Sequence, residues 1–89
     1  MNYQIIARRW FDKKWGNTYF SSEIYINNEL IHKIDFEYGY GNHCIDQSIK
    51  YLKENNLIDL KNEHISEYEK RTGNKILQSI TDVSRKKDL

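Results

Sequence analysis

A chain of 89 residues is long enough for one hydrophobic core and too short for two independent ones, so residues 1–89 are read as a single domain. With 38% hydrophobic, 13% aromatic and 30% charged residues, it has apolar material to fold and a solvated surface, which argues against disorder throughout. A formal net charge of +1 provides no global attraction to nucleic acid or anionic membrane. Any such role falls to two local clusters, Arg8, Arg9, Lys13 and Lys14 near the start and Arg85, Lys86 and Lys87 at the end.

From Tyr3 to Phe11 the chain alternates Tyr3, Ile5, Ala7 and Phe11 against Gln4, Arg8 and Trp10, the period-two pattern of a strand. The polar segment Asp12-Lys13-Lys14-Trp15-Gly16-Asn17 then reads as a hairpin loop with Trp15 near its tip, leading into a second strand from Tyr19 to Ile26. A second hairpin turns at Asn27-Asn28-Glu29, where asparagine tolerates the left-handed backbone region. Read as a three-residue loop, it places Phe20, Ser22, Ile24, Ile26, Leu30, His32, Ile34 and Phe36 on one face. The opposite face then carries Arg8, Trp10, Tyr19, Glu23, Tyr25, Ile31, Lys33 and Asp35. A two-residue loop would mix Ile24 and Ile31 with Lys33 and Asp35, and burial favours the first register.

After Tyr38-Gly39-Tyr40-Gly41 the period changes. Ile45, Ser48, Ile49 and Leu52 form one helical stripe, with Asn42 at the N-cap, Asp46 in the first turn and Asn55-Asn56 as the stop. Residues 57–74 read as a charged connector in which Ile65 and Tyr68 mark a short helical turn, closed by Gly73-Asn74. Lys75 to Val83 alternates again as a fourth strand, followed by a basic tail over 84–89 that is expected to order on a partner. The expected fold is therefore α+β: a three-stranded antiparallel meander packed on one helix, a variable connector and a C-terminal strand.

Several of these segments together resemble a family of short uncharacterised proteins encoded by phages and plasmids. They are Ala7-Arg8-Arg9-Trp10-Phe11-Asp12-Lys13, Gly16-Asn17-Thr18-Tyr19, Tyr25-Ile26-Asn27, Asp35-Phe36 with Tyr38-Gly39-Tyr40-Gly41, and Thr81 to Leu89. Asn28 departs from a glycine expected in that turn, and the middle connector departs most. The resemblance implies a genomic setting and no assigned activity. Small accessory proteins of such elements are often inhibitors of host defence, of the anti-CRISPR or anti-restriction kind, or DNA-binding regulators.

Cys44 is the only cysteine, which excludes an intrachain disulfide and favours a reducing compartment. The start of the chain lacks a basic segment leading into an apolar run, and no apolar stretch reaches membrane-spanning length. The expected location is the cytoplasm of a bacterial host cell, with no membrane partner. The closing Lys86-Lys87-Asp88-Leu89 has the look of a retrieval signal that nothing upstream would deliver to its receptor.

Candidate chemistry is sparse. His43-Cys44 with His32 and His64 fits no metal-ligand spacing, and adjacent residues at a helix start point in different directions, so neither a metal site nor a cysteine nucleophile is expected. Asp12, Glu23, Asp35 and Glu37 could pair for acid–base work, yet on a sheet they serve equally as cross-strand partners of Arg8, Arg9 and Lys33. No catalytic residue, metal or cofactor is assigned. Gly39, Tyr40 and Gly41 before the helix form a possible anion-binding turn, set against tight packing as the alternative. The stronger signal is aromatic area mixed with cations. Arg8, Arg9, Trp10, Tyr19, Tyr25 and Lys33, with Lys13, Lys14 and Trp15 at the loop, form the expected partner-binding surface. A defence-related host protein is the partner expected first. Nucleic acid is the alternative, on a three-stranded sheet similar in outline to the plant AP2 architecture, and the acidic residues on that face count against it. The plainer reading is a sheet face that is simply amphipathic, or covered by the C-terminal segment or by a second copy in a homodimer.

Overall fold

The structure is a computed structural model that describes all of residues 1–89. Four strands, β1 (Asn2–Asp12), β2 (Asn17–Ile26), β3 (Glu29–Tyr38) and β4 (Lys75–Val83), make one sheet in the order β3-β2-β1-β4. Helices α1 (His43–Glu54) and α2 (Ile65–Thr72) lie between β3 and β4 in sequence, and a single 3-10 turn covers Lys86–Asp88. The fold is α+β, as the periodicities predict. The meander β1-β2-β3 is antiparallel, whereas β4 joins the free side of β1 in parallel, with Tyr3 beside Ile76 and Ala7 beside Ile80. A parallel neighbour needs a long crossover, and the helical segment 43–72 supplies it.

One face of the sheet holds the core. Tyr3, Ile5 and Ala7 of β1, Phe20 and Ile24 of β2 and Ile76 of β4 are buried there under Cys44, Ile45 and Leu52 of α1 and Tyr68 of α2. The two buried serines in this core satisfy each other. The Ser22 and Ser48 hydroxyls lie 2.6 Å apart, and Ser48 donates onward to the Cys44 carbonyl at 2.8 Å. Asn42 stands at the N-cap as expected, although it caps through its backbone carbonyl, which accepts from the Ile45 and Asp46 amides. Burial of Cys44 pushes its thiol pKa up, so it is a small core group and not an activated nucleophile.

The connector is better organised than its charge suggests. Ile58 is buried, the Tyr3 hydroxyl donates to the Leu57 carbonyl at 2.6 Å, and Arg71 of α2 bonds the Asp59 carbonyl and the Glu63 carboxylate. The helical turn expected at Ile65 and Tyr68 is a full eight-residue helix that ends in Gly73 at φ +76°.

The β2–β3 register differs from the expected one. The hairpin is a two-residue loop, with Asn27 and Asn28 at φ +51° and +68°, and Ile26 pairs with Glu29. Two positive φ values are what a primed hairpin turn requires, and its twist suits the flanking strands. The apolar pattern is then recovered by irregularities rather than by loop length. A first bulge leaves Ile31 unpaired, so that His32 and Ile34 return to the core face opposite Ile24 and Ser22. A second, opposite Ser21, sets Glu37 against Phe20 and moves Phe36 to the other face. Leu30 and Phe36, expected in the core, are therefore exposed on the outer side.

Candidate functional site

The strands outreach the helix that covers them. At roughly 3.3 Å per residue β1 spans about 36 Å, whereas α1 at about 1.5 Å per residue spans roughly 18 Å. The helix side opens at the hairpin end, where Phe11, the residue after Arg9 on that face of β1, is 53% exposed, within a molecule whose long axis is 44 Å. Antiparallel pairing brings the end of β1, the start of β2 and the end of β3 to this one end, and parallel pairing adds the end of β4.

Aromatic rings concentrate there. Trp10, Tyr19 and Phe36 run side by side across β1, β2 and β3 on the outer face, with centroids 5.9 Å and then 4.8 Å apart and planes within 25° of parallel. Tyr38 meets Tyr19 edge-on at 5.8 Å. Around the row, Trp15 at the hairpin tip is 70% exposed, Tyr38 58% and Phe36 43%, with Phe11 and Tyr40 also open to solvent. No helix packs on this side. The C-terminal segment reaches onto it, with the Lys86 ammonium 4.9 Å from the Phe36 ring centre. The tail expected to order only on a partner thus already forms a 3-10 turn, closed by an Arg85–Asp88 ion pair at 3.2 Å.

Of the residues predicted for the binding surface, Arg8, Trp10, Tyr19, Tyr25 and Lys33 share the outer face, and Lys13, Lys14 and Trp15 form the exposed loop beside it. Lys14 lies over the Trp15 ring at 5.3 Å. Arg9 does not belong to this surface. It points to the helix side, where its Nε and Nη2 donate to the two carboxylate oxygens of Asp82 at 2.7 and 3.0 Å and its Nη1 donates to the Gly41 carbonyl at 2.9 Å. The Asp82 hydrogen bonds hold its guanidinium pKa above the ordinary value. The parity of β1 dictates this placement, since Arg9 follows Tyr3, Ile5 and Ala7 on the same side.

The outer-face charges are largely matched within the sheet. Arg8 bridges Glu23 at 3.1 Å, Tyr25 donates to the other oxygen of Glu23 at 3.2 Å, and Lys33 lies 3.7 Å from Asp35. Burial and the Glu23 carboxylate push the Tyr25 phenol pKa up, so it stays a neutral donor. The hydroxyl of Ser21, beneath this layer, is buried without a hydrogen-bond partner.

Tyr40 and Gly41 border a hollow of about 390 Å³ with Asn42, His43 and Asp46, and Gly39 does not line it. Asp46 puts a carboxylate at its rim, and the His43, Ile45 and Asp46 amides already donate to turn carbonyls of Tyr40 and Asn42. Gly39 has a packing reason of its own. A Cβ there would collide with the His43 ring and press on Phe20 at 3.0 Å. His43 packs edge-on against Phe20 and His32 stacks on Tyr51 at 3.9 Å, so both imidazoles are engaged with neighbouring rings. No three His, Cys, Asp or Glu side chains converge in a way that could hold a metal ion. No helix is long and apolar enough to cross a membrane.

Phe36, Tyr38 and Lys86 are the members of this surface that sequence reasoning missed. The signal for the first two was the Asn27-Asn28 pair, which specifies a two-residue turn and hence a register that must slip later in β3. Comparison with protein-family models, curated proteins and solved structures gave no match.

Proposed function

We propose that this chain is a non-enzymatic binding protein that docks a partner protein on the aromatic end of its sheet. The observation that carries the reading is the Trp10–Tyr19–Phe36 row, continued by Tyr38 and Trp15, on a side that no helix covers. Large aromatic side chains in a shared patch supply contact area at small entropic cost and dominate protein interfaces. The matched pairs Arg8–Glu23 and Lys33–Asp35 can be buried against a protein without leaving a lone charge. The resemblance to phage and plasmid proteins makes a bacterial defence protein the partner class to try first, with this chain as its inhibitor.

A second reading, nucleic-acid binding, is favoured by one observation. Lys13, Lys14, Lys86 and Lys87 have no carboxylate partner within ion-pair distance, and all lie at the aromatic end. The test is capture from bacterial lysate with the wild type, Trp15→Ala and Tyr38→Ala, repeated at rising salt. The proposal expects a host protein that both substitutions release and that persists at moderate salt. Recovery of nucleic acid alone, lost between about 50 and 200 mM salt as counterions are released, would overturn it.

A further inference from the structure

The two edges of the sheet are built differently. β3 carries two bulges and the charges Glu29, Lys33, Asp35 and Glu37, which are standard protections against edge-to-edge pairing. β4 carries neither. It runs in unbroken register with β1 from Lys75 to Val83, and its interior, Ile76-Leu77-Gln78-Ser79-Ile80-Thr81, contains no charge, with Leu77 59% exposed. The tail beyond it does not screen this edge, since Lys86 reaches Phe36 of β3 on the opposite side of the sheet.

Which backbone groups are free follows from the parallel ladder. The Lys75 amide donates inward to the Met1 carbonyl, so alternate residues 77, 79, 81 and 83 also face β1. Residues 76, 78, 80 and 82 turn their N–H and C=O groups outward. The Ile76 amide is already capped by the Glu69 carboxylate at 3.1 Å. Gln78, Ile80 and Asp82 remain as an open template.

We propose that this template pairs with a second copy of the chain, β4 antiparallel to β4, with the two-fold axis at Ile80. A perpendicular two-fold keeps each residue on its own face, so the register must place even residues opposite even ones. Centred on Ile80, the three free residues pair only with one another: Gln78 with the partner copy's Asp82, Ile80 with its own equivalent. The outer face then sets Leu77 opposite Val83 and Ser79 opposite Thr81, matching apolar with apolar and hydroxyl with hydroxyl. Centring on Gln78 or Ser79 would need the amide that Glu69 occupies, and the latter would also set Ile76 against Asp82. The product is a continuous eight-stranded sheet with roughly six inter-copy hydrogen bonds, two for each of the three pairs. Both aromatic rows lie on the same face of it at opposite ends. This inference stands independently of what the aromatic row binds.

The test is sedimentation of the full chain from low micromolar to near-millimolar concentration, with circular dichroism to verify folding. Gln78→Lys, facing Asp82 twice around the axis, should tighten the dimer about three- to tenfold, and Gln78→Glu should weaken it by a similar factor. Gln78→Pro removes an outward N–H, spares the β1 ladder and should leave a folded monomer. If Gln78→Pro does not fold, the Lys and Glu variants decide. A wild type that stays monomeric throughout overturns the proposal and leaves the edge to a strand of another protein. A dimer that ignores all the folded variants uses another surface, and a dimer weakened by both Lys and Glu has its axis at Gln78; either result overturns it too.

Discussion

The Phe36 ring is stacked on Tyr19, 4.8 Å between centroids, on the opposite side of the sheet from the buried Phe20. Simple alternation from Ile34 would have sent Phe36 to the core. The bulge opposite Ser21 rotates it outward, and Glu37 takes the place opposite Phe20. The two phenylalanines should therefore respond very differently to truncation. Phe20→Ala opens a cavity and is expected to cost about 3–5 kcal/mol. Phe36→Ala loses partly exposed stacking and should cost about 1 kcal/mol. Urea unfolding of both variants measures this, and equal losses would return Phe36 to the core.

The hairpin turn makes a second prediction with a sign. Asn28 holds φ +68°, a region that glycine occupies without a Cβ penalty. Asn28→Gly produces the Asn-Gly pair preferred in primed turns and is expected to stabilise the fold by roughly 0.5 kcal/mol. Asn27→Gly should bring no such gain, because the Asn27 side-chain oxygen accepts from the Asn2 amide at 2.9 Å and that bond would be lost. Thermal melts of the two single variants should move in different directions.

These two cases show which parts of the fold could be read beforehand. Strands β1, β2 and β4 and helix α1 follow from periodicity because each has a single buried face, and burial enforces the period. The parallel docking of β4 was not legible, since alternation gives a strand no neighbour. Nor was the place of the slips in β3: the Asn27-Asn28 pair implies that the register must shift, but a bulge costs one residue of pattern and leaves no mark of where it falls. The outer-face residues Arg8, Trp10, Tyr19 and Tyr25 were legible because β1 and β2 pair without interruption, whereas Lys33 reaches the same face through the bulge at Ile31. Arg9 was misplaced for a different reason. Charge suggested a surface role, whereas strand parity, visible in the same residues, put it on the helix side beside Asp82.

Gly39 tests whether the turn before α1 is a ligand cradle or a packing device. Its Cβ position is filled by the His43 and Phe20 rings, so Gly39→Ala must push His43 off Phe20. Overpacking of this kind costs typically about 1–3 kcal/mol. Gly41, with φ +62° and open space around its Cβ position, carries a conformational cost only, and Gly41→Asn should be milder than Gly41→Ala because asparagine tolerates that region. Denaturant midpoints of the three variants order these effects. If Gly39→Ala is as stable as the wild type, the packing explanation fails.

Acid stability should report on the connector. Arg71 donates to Glu63 through Nη2 at 2.7 Å and Nε at 3.1 Å, and its Nη2 also reaches the Asp59 carbonyl at 2.6 Å, tying residues 59–63 to α2. The hydrogen bonds from Arg71 hold the Glu63 carboxyl pKa below its ordinary value of 4.5. A carboxylate depressed in the folded state contributes stability that is fully present above its unfolded pKa and is lost as pH falls through the folded one. The denaturant midpoint should thus hold near neutral pH and decline below about pH 4.5. Glu63→Gln removes the titrating group and Arg71→Gln removes the cause of the shift, so each should flatten part of that decline. The double variant should flatten it no further, because both substitutions abolish the same interaction. Slopes that add would mean that Arg71 stabilises the acid range through Asp59 instead, since it lies 3.7 Å from that carboxylate as well.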